Sequence, residues 1–204
     1  MLNWLFIGRT RVLLGGVFGC VLIGCAPPEP APLPEVPRVA LVLKDGRLHR
    51  PAQAAPFTGT VIERYPSGLL QSRSVVSNGL LQGVSEGWHT NGMLQVREHF
   101  VAGKSHGVRT KWYPNGAKLS EAQIANGQLN GTFRRWHENG VLAEQIELVD
   151  DQPNGLSLAY YPSGCLKVRA RMAGGKVVQM ESFKDGEVKS SPVVAAAEVE
   201  KPKS

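Results

Sequence analysis

Cysteine is scarce in this chain of 204 residues, with only Cys20, Cys25 and Cys165. The three form no C-x-x-C pair and no even set, which argues against a zinc site and against the disulfide framework that staples small secreted domains. A surplus of one charge is missing too. Between Phe57 and Gly186, fourteen Lys and Arg are interspersed with eleven Asp and Glu. That is a solvated surface, not an electrostatic track for phosphates, so nucleic acid is not an expected partner. Long apolar runs are also lacking. The longest uncharged, mostly apolar stretch, VLLGGVFGCVLIG from Val12 to Gly24, holds thirteen residues; as a helix it would reach roughly 20 Å, short of the ~30 Å hydrocarbon core of a bilayer.

What the N-terminus does have is the layout of an export leader. Arg9 and Arg11 come before the apolar stretch and Leu22-Ile23-Gly24-Cys25 ends it, which reads as a signal h-region and not a spanning helix. Leu-Ile-Gly-Cys resembles the lipobox of bacterial lipoproteins, whose cysteine is lipidated on sulfur before cleavage. The resemblance implies that residues 1–24 are removed, that Cys25 becomes the acylated first residue, and that the lipid bilayer is a partner. Val17-Phe18-Gly19-Cys20 is a weaker match because Phe18 is bulky, and an uncleaved anchor is the alternative. One acyl chain holds a protein only marginally, whereas several hold it permanently. Ala26 after the cysteine, in place of Asp, resembles the outer-membrane pattern of enterobacterial lipoproteins, so the expected location is the outer membrane, facing the periplasm. Losing Arg9 and Arg11 with the leader lowers the formal charge of +6 by two.

Proline crowds the next stretch. APPEPAPLPEVPR, Ala26 to Arg38, has six prolines in thirteen residues. Such a segment is expected not to pair in a sheet and to favour polyproline II, reaching up to ~40 Å at ~3.1 Å per residue. Residues 25–38 therefore read as the lipidated cysteine and a stalk.

Beyond it the chain repeats itself. RYPSGLL from Arg64, WHTNGML from Trp88, WYPNGAK from Trp112, WHENGVL from Trp136 and YYPSGCL from Tyr160 follow one another at a constant step of 24 residues. Gly59, Gly83, Gly107, Gly131 and Gly155 keep the same step. Within each copy, Pro-Ser-Gly or its equivalent presets one turn dihedral, and Gly68, Gly92, Gly116, Gly140 and Gly164 supply the positive φ that closes a type I turn and its bulge. The apolar residues around the turns alternate, as in strands with one packed face. Val84, Glu86 and Trp88 share one face, and the column Val76, Phe100, Ile124, Leu148 and Met172 is expected to be core. A second, looser turn is expected at Asn78-Gly79, Ala102-Gly103, Asn126-Gly127, Asp150-Asp151 and Gly174-Gly175.

The expected fold is all-β, an antiparallel meander of stacked hairpins in an elongated, twisted single-layer sheet over 39–186, with five full units over 59–178. VALVLKDG, Val39 to Gly46, and MESFKDG, Met180 to Gly186, each resemble a returning strand and its turn, and are expected to cap the array. Residues 187–204 read as a disordered tail. The glycine, aromatic, Tyr or His, Asn or Ser, Gly and Leu pattern looks like the bacterial variant of the MORN repeat. Arg64 at the first aromatic place, Lys118 in the leucine column and Asp151 at a linking glycine depart from it. The resemblance implies elongated sheets of β-hairpins that bind and assemble, together with an antitoxin label often attached to proteins of this kind.

Catalysis needs an acid, base or nucleophile at a singular place, and here each polar type recurs on a ladder. His89 and His137 share a column with Tyr65, Tyr113 and Tyr161 and read as strand residues beside the turn. Two units apart, at ~4.8 Å per strand, they lie about 19 Å from each other, too far to share a metal through bonds of ~2 Å. His99 and His106 read as surface residues, His49 lies in the entry segment, and Cys165 reads as a small apolar filler. No metal, cofactor or enzymatic activity is expected. The candidate binding face is the aromatic column Trp88, Trp112, Trp136 and Tyr160 with Arg134 and Arg135, although packing against Leu70, Leu94, Leu142 and Leu166 is the favoured role of the rings. The expected function is a membrane-anchored scaffold for an unidentified protein or envelope polymer, with toxin capture and membrane-surface binding as the rivals. Free sheet edges also admit edge-to-edge self-association.

Overall fold

The computed structural model describes residues 33–188. The leader, Cys20, Cys25, residues 26–32 of the stalk and the chain beyond Val188 lie outside the described residues. The described chain opens with β1 (Glu35–Pro37), a 3-10 turn at Arg38–Ala40, and a small hairpin of β2 (Val42–Lys44) and β3 (Arg47–His49). The repeats follow. Unit one is β4 (Gly59–Arg64) with β5 (Leu70–Ser77), and unit two is β6 (Leu80–Trp88) with β7 (Leu94–Val101). Unit three has an interrupted first strand, β8 (Lys104–Ser105) and β9 (Gly107–Trp112), then β10 (Lys118–Ala125). Units four and five are β11 (Gln128–Trp136) with β12 (Leu142–Val149) and β13 (Gln152–Tyr160) with β14 (Leu166–Ala173); β15 (Lys176–Ser182) closes the array. From β4 to β15 each strand lies antiparallel beside its predecessor, with β8 and β9 sharing the place next to β7, and β1 is added parallel to β4. The result is one long open sheet.

The two turn families have distinct geometry. At the aromatic end, the Tyr65 N–H donates to Leu69 O and the Gly68 N–H to Tyr65 O, and the same pair of bonds recurs at His89, Tyr113, His137 and Tyr161. Gly68, Gly92, Gly116, Gly140 and Gly164 all have φ between 81° and 89°, as a type I turn closed by a left-handed glycine requires. The linking turns are not looser, contrary to expectation. Ser77 pairs with Leu80 directly across Asn78 and Gly79, and both turn residues have positive φ, 50° and 76°. This is the two-residue type I′ connection, whose twist matches the strands it joins. It recurs at all five linking sites, with Ala102 and Asp151 held at positive φ although neither is glycine.

The second glycine column marks a bulge. Ser74 pairs with Ser85 and Val76 with Leu81, so Val75 alone faces the three residues 82–84. The slip recurs where Gln123 faces 130–132 and Glu147 faces 154–156. Gly83, Gly131 and Gly155 sit in these bulges with positive φ.

The core is thickest at the N-terminal end, where Val36, Leu41, Phe57, Val61 and Val76 bury one another against Ala40, Leu48 and Leu81. Four sequence boundaries move. Glu35–Pro37 belongs to the sheet and not to a stalk, because at an edge the prolines lose no ladder bond that a neighbour needs. Val39–Gly46 is not a half-unit of the main sheet: Val39 is 93% exposed, and Asp45-Gly46 turns a separate hairpin. That hairpin is tied down by bonds from Leu48 N–H to Gly79 O and from Phe57 N–H to Leu48 O. Met180–Gly186 is the end of a sixth ascending strand and its turn, since β15 begins at Lys176 and follows a linking turn. Glu187 and Val188, assigned to the tail by sequence, are held by Lys184 and Leu166.

Of the expected core column, Val76, Ile124 and Leu148 are buried. Phe100 and Met172 are only half-buried.

Candidate interaction surface

Each strand alternates its side chains between two faces, so the cross-strand register defines rows that run the length of the sheet. On one face Arg73, Glu86, Arg97, Thr110, Glu121, Arg134, Gln145, Leu158, Arg169 and Glu181 stand opposite one another in succession. The row neutralises itself. Arg97 bonds Glu86 at 2.8 Å and Arg169 reaches Glu181 at 3.7 Å, while Arg73 reaches Glu35 at 3.4 Å.

The opposite face changes character along its length. Ser74, Ser85 and Glu98 are polar; the serine hydroxyls lie 2.7 Å apart and Glu98 pairs with Arg109 at 3.3 Å. From Ala122 onward the row turns mostly apolar, through Phe133, Ile146, Ser157, Ala170 and Met180. Ala122 and Ala170 are buried, Phe133 and Ile146 half-buried, and Met180 exposed. Its members belong to two columns of the 24-residue step, 122/146/170 and 133/157, and the register shows that the two interleave in one row.

The residues singled out by sequence divide between these surroundings. Arg134 and Arg135, consecutive on β11, face opposite sides. Arg134 Nε donates to Gln145 Oε1 at 3.0 Å and Arg135 Nε to Glu144 Oε2 at 3.2 Å, so they do not join Trp136 in one basic patch. Trp88, Trp112, Trp136 and Tyr160 are all half-buried beside the turns. Trp88, Trp136 and Tyr160 pair with Leu94, Leu142 and Leu166, and Trp112 with Lys118. Lys118, which breaks the leucine column, sets its ammonium 5.1 Å from the centre of the Trp136 ring one unit on, so a cation–π contact stands where a leucine would pack. Burial raises the Tyr160 hydroxyl pKa above its ordinary 10.0, and the nearby Arg169 charge partly opposes the shift.

The Tyr and His column has a role that sequence reading missed. Tyr65 Oη donates to Trp88 O at 2.7 Å and Tyr113 Oη to Trp136 O at 2.9 Å. His89 Nε2 meets Trp112 O at 2.9 Å and His137 Nε2 meets Tyr160 O at 3.1 Å. A carbonyl only accepts, so each imidazole carries its proton on Nε2. Tyrosine and histidine interchange here because both hold a donor at the far end of a flat ring. Asn91 and Asn139 add a second tie, from Nδ2 to Pro114 O and Pro162 O. Among the described residues, no group of three or more His, Cys, Asp or Glu is placed to hold a metal ion.

Cys165 is buried beside the final turn, where Leu166 N–H is bonded to Val188 O. No curated protein matches the chain. A family model described as the MORN repeat variant matches residues 129–150, which run from the start of β11 through its turn to the linking turn after β12. That span is one hairpin unit, and the 24-residue step carries the same turn bonds to the other four.

Proposed function

We propose that the protein is a non-enzymatic repeat scaffold tethered to a bacterial membrane, with Cys25 as the acylated anchor and the sheet as a platform for a partner protein or a cell-wall polymer. The observation that carries the reading is the division of the two faces. A charge row runs along one face, while on the other the half-buried Phe133 and Ile146 and the exposed Met180 supply contact area on a surface that has no second layer. The match of one hairpin to the MORN repeat variant supports a scaffold role, and Leu22-Ile23-Gly24-Cys25 supports the anchor. Ala26 directs the expectation to the outer membrane, facing the periplasm.

The test is the intact mass and membrane fractionation of the full-length protein beside Cys25→Ala, followed by crosslinking from the membrane fraction with and without Phe133→Lys. A mature chain that starts at Cys25, carries acyl mass and loses both in the variant supports the anchor. A crosslinked envelope component that disappears with Phe133→Lys supports the platform. An unmodified, soluble, full-length chain defeats the reading and puts toxin capture in the cytosol first.

A further inference from the structure

Within the array each polar residue type recurs from unit to unit, whereas the lead-in, residues 35–58, occurs once. It holds a cleft of about 410 Å³ lined by Val36, Ala40, Arg50, Pro51 and Gln53, a volume toward the small end of the range that ligand sites take. Val36 and Ala40 belong to the packing of the N-terminal core cluster and give the cleft an aliphatic floor; Arg50, Pro51 and Gln53 are exposed at its rim. The rim is strained. Residues 50–53 form a turn closed by the Gln53 N–H on Arg50 O at 3.2 Å, with Pro51 second and Ala52 third at φ 61°, the type II pattern in which glycine is the usual third residue. One residue before the turn, His49 Nδ1 is buried with no hydrogen-bond partner. Backbone strain and unmet polar atoms collect at functional sites. The Arg50 guanidinium stands 5.6 Å from the centre of the Phe57 ring, and among the described residues no carboxylate pairs with it. A guanidinium held against a ring keeps its in-plane donors free.

We propose that this cleft binds the carboxylate end of a peptide whose last residue is small and aliphatic. Arg50 takes the carboxylate through parallel N–H donors. Gln53, whose amide both donates and accepts, meets the last peptide group. Val36, Ala40 and Pro51 cover the terminal side chain, and with no aromatic ring among the five lining residues an aliphatic side chain suits the cleft better than a flat ring. The five include one cation, so a singly charged carboxylate is matched where a phosphate would leave charge unpaired. The site stands apart from the Cys25 anchor and from the Phe133 face, so its failure leaves the platform reading intact.

The experiment is saturation-transfer NMR on the full-length protein in detergent, with N-acetyl-alanyl-alanine in its L,L and D,D forms and with the C-terminal amide of each. One acid should bind saturably and its amide roughly tenfold more weakly or worse, as expected when a charge-assisted hydrogen bond is lost. Arg50→Gln, a change at an exposed position, should abolish that difference between acid and amide, which a merely structural role would leave in place. Phe133→Lys should bind as the parent does. Binding of the L,L acid supports the site with a protein C-terminus as the source; binding of the D,D acid supports it with a cell-wall peptide, whose terminal alanines have that hand. Acid and amide bound alike, Arg50→Gln indistinguishable from the parent, or neither acid bound at millimolar concentration overturns the proposal. So does inorganic phosphate that displaces the peptide at equal concentration.

Discussion

The Tyr113 hydroxyl donates a 2.9 Å hydrogen bond to the backbone carbonyl of Trp136, one repeat unit further along. The same reach recurs down the column, so each unit pins the next at its aromatic end. Replacing Tyr113 by Phe keeps the ring and removes the donor, leaving a half-buried carbonyl without its partner. The expected loss is about 1 kcal/mol, as for other intramolecular hydrogen bonds. Tyr113→His, which the column uses at His89 and His137, should retain most of it. Urea denaturation of the three proteins checks this, and equal midpoints would show the pin to be idle.

Ala102 occupies the first residue of a type I′ turn at φ 49°, where the equivalent places in units one and three hold Asn78 and Asn126. A left-handed conformation costs a residue with a Cβ roughly 1–2 kcal/mol unless its side chain helps locally. Asn does help, and Ala does not. Ala102→Asn should therefore raise stability by about 1 kcal/mol, read as an increase in Tm. The backbone N–H bond to Gln82 Oε1 is kept by either residue, so an unchanged or lower Tm would mean that the left-handed conformation costs Ala102 no more than Asn.

The order of turns and strands was legible in the sequence because glycine, proline and asparagine sit where the backbone needs them. Periodicity of 24 then made each unit check the others. The lead-in was not legible: Pro34 and Pro37 argued for a free stalk, yet an edge strand tolerates them. Nor was the closing unit, because β15 has Val178 where the array carries a bulge glycine, and the ties from Tyr161 to Phe183 and from Ser163 to Asp185 span 22 residues instead of the 23 between earlier units. The candidate surface was read as the Trp column because columns follow sequence spacing. Alternation along β11 sets the consecutive Arg134 and Arg135 on opposite faces, and cross-strand register assembles the Ala122–Phe133–Ile146 row.

Gly59, at the start of β4, lies against Pro34, the residue before β1. A Cβ there would stand 2.6 Å from Pro34 O and 2.5 Å from Phe57 Cζ. The first is backbone and cannot swing aside. Gly59→Ala should lift β1 from β4 and loosen the cluster around Val36, costing about 2 kcal/mol as overpacking does. Limited proteolysis should then cut within 33–58 much faster than in the parent, while units three to five stay resistant. Equal cutting of both chains would place the lead-in outside the cooperative fold.

Tyr160 gives the sheet an alkaline limit. Burial holds its hydroxyl pKa above the ordinary 10.0, with Arg169 opposing, so the folded chain keeps this proton at a pH where the unfolded chain has begun to release it. Stability depends on the difference in bound protons. The contribution is complete below the unfolded pKa and is lost as pH rises from about 10 through the folded value. Tyr160→Phe has no proton to lose, and its register pairing with Leu166 makes no demand on the hydroxyl. Urea midpoints of the parent should therefore fall as pH rises above about 10, and fall less steeply in Tyr160→Phe. Parallel curves for the two proteins would mean that the ring's burial does not reach its hydroxyl.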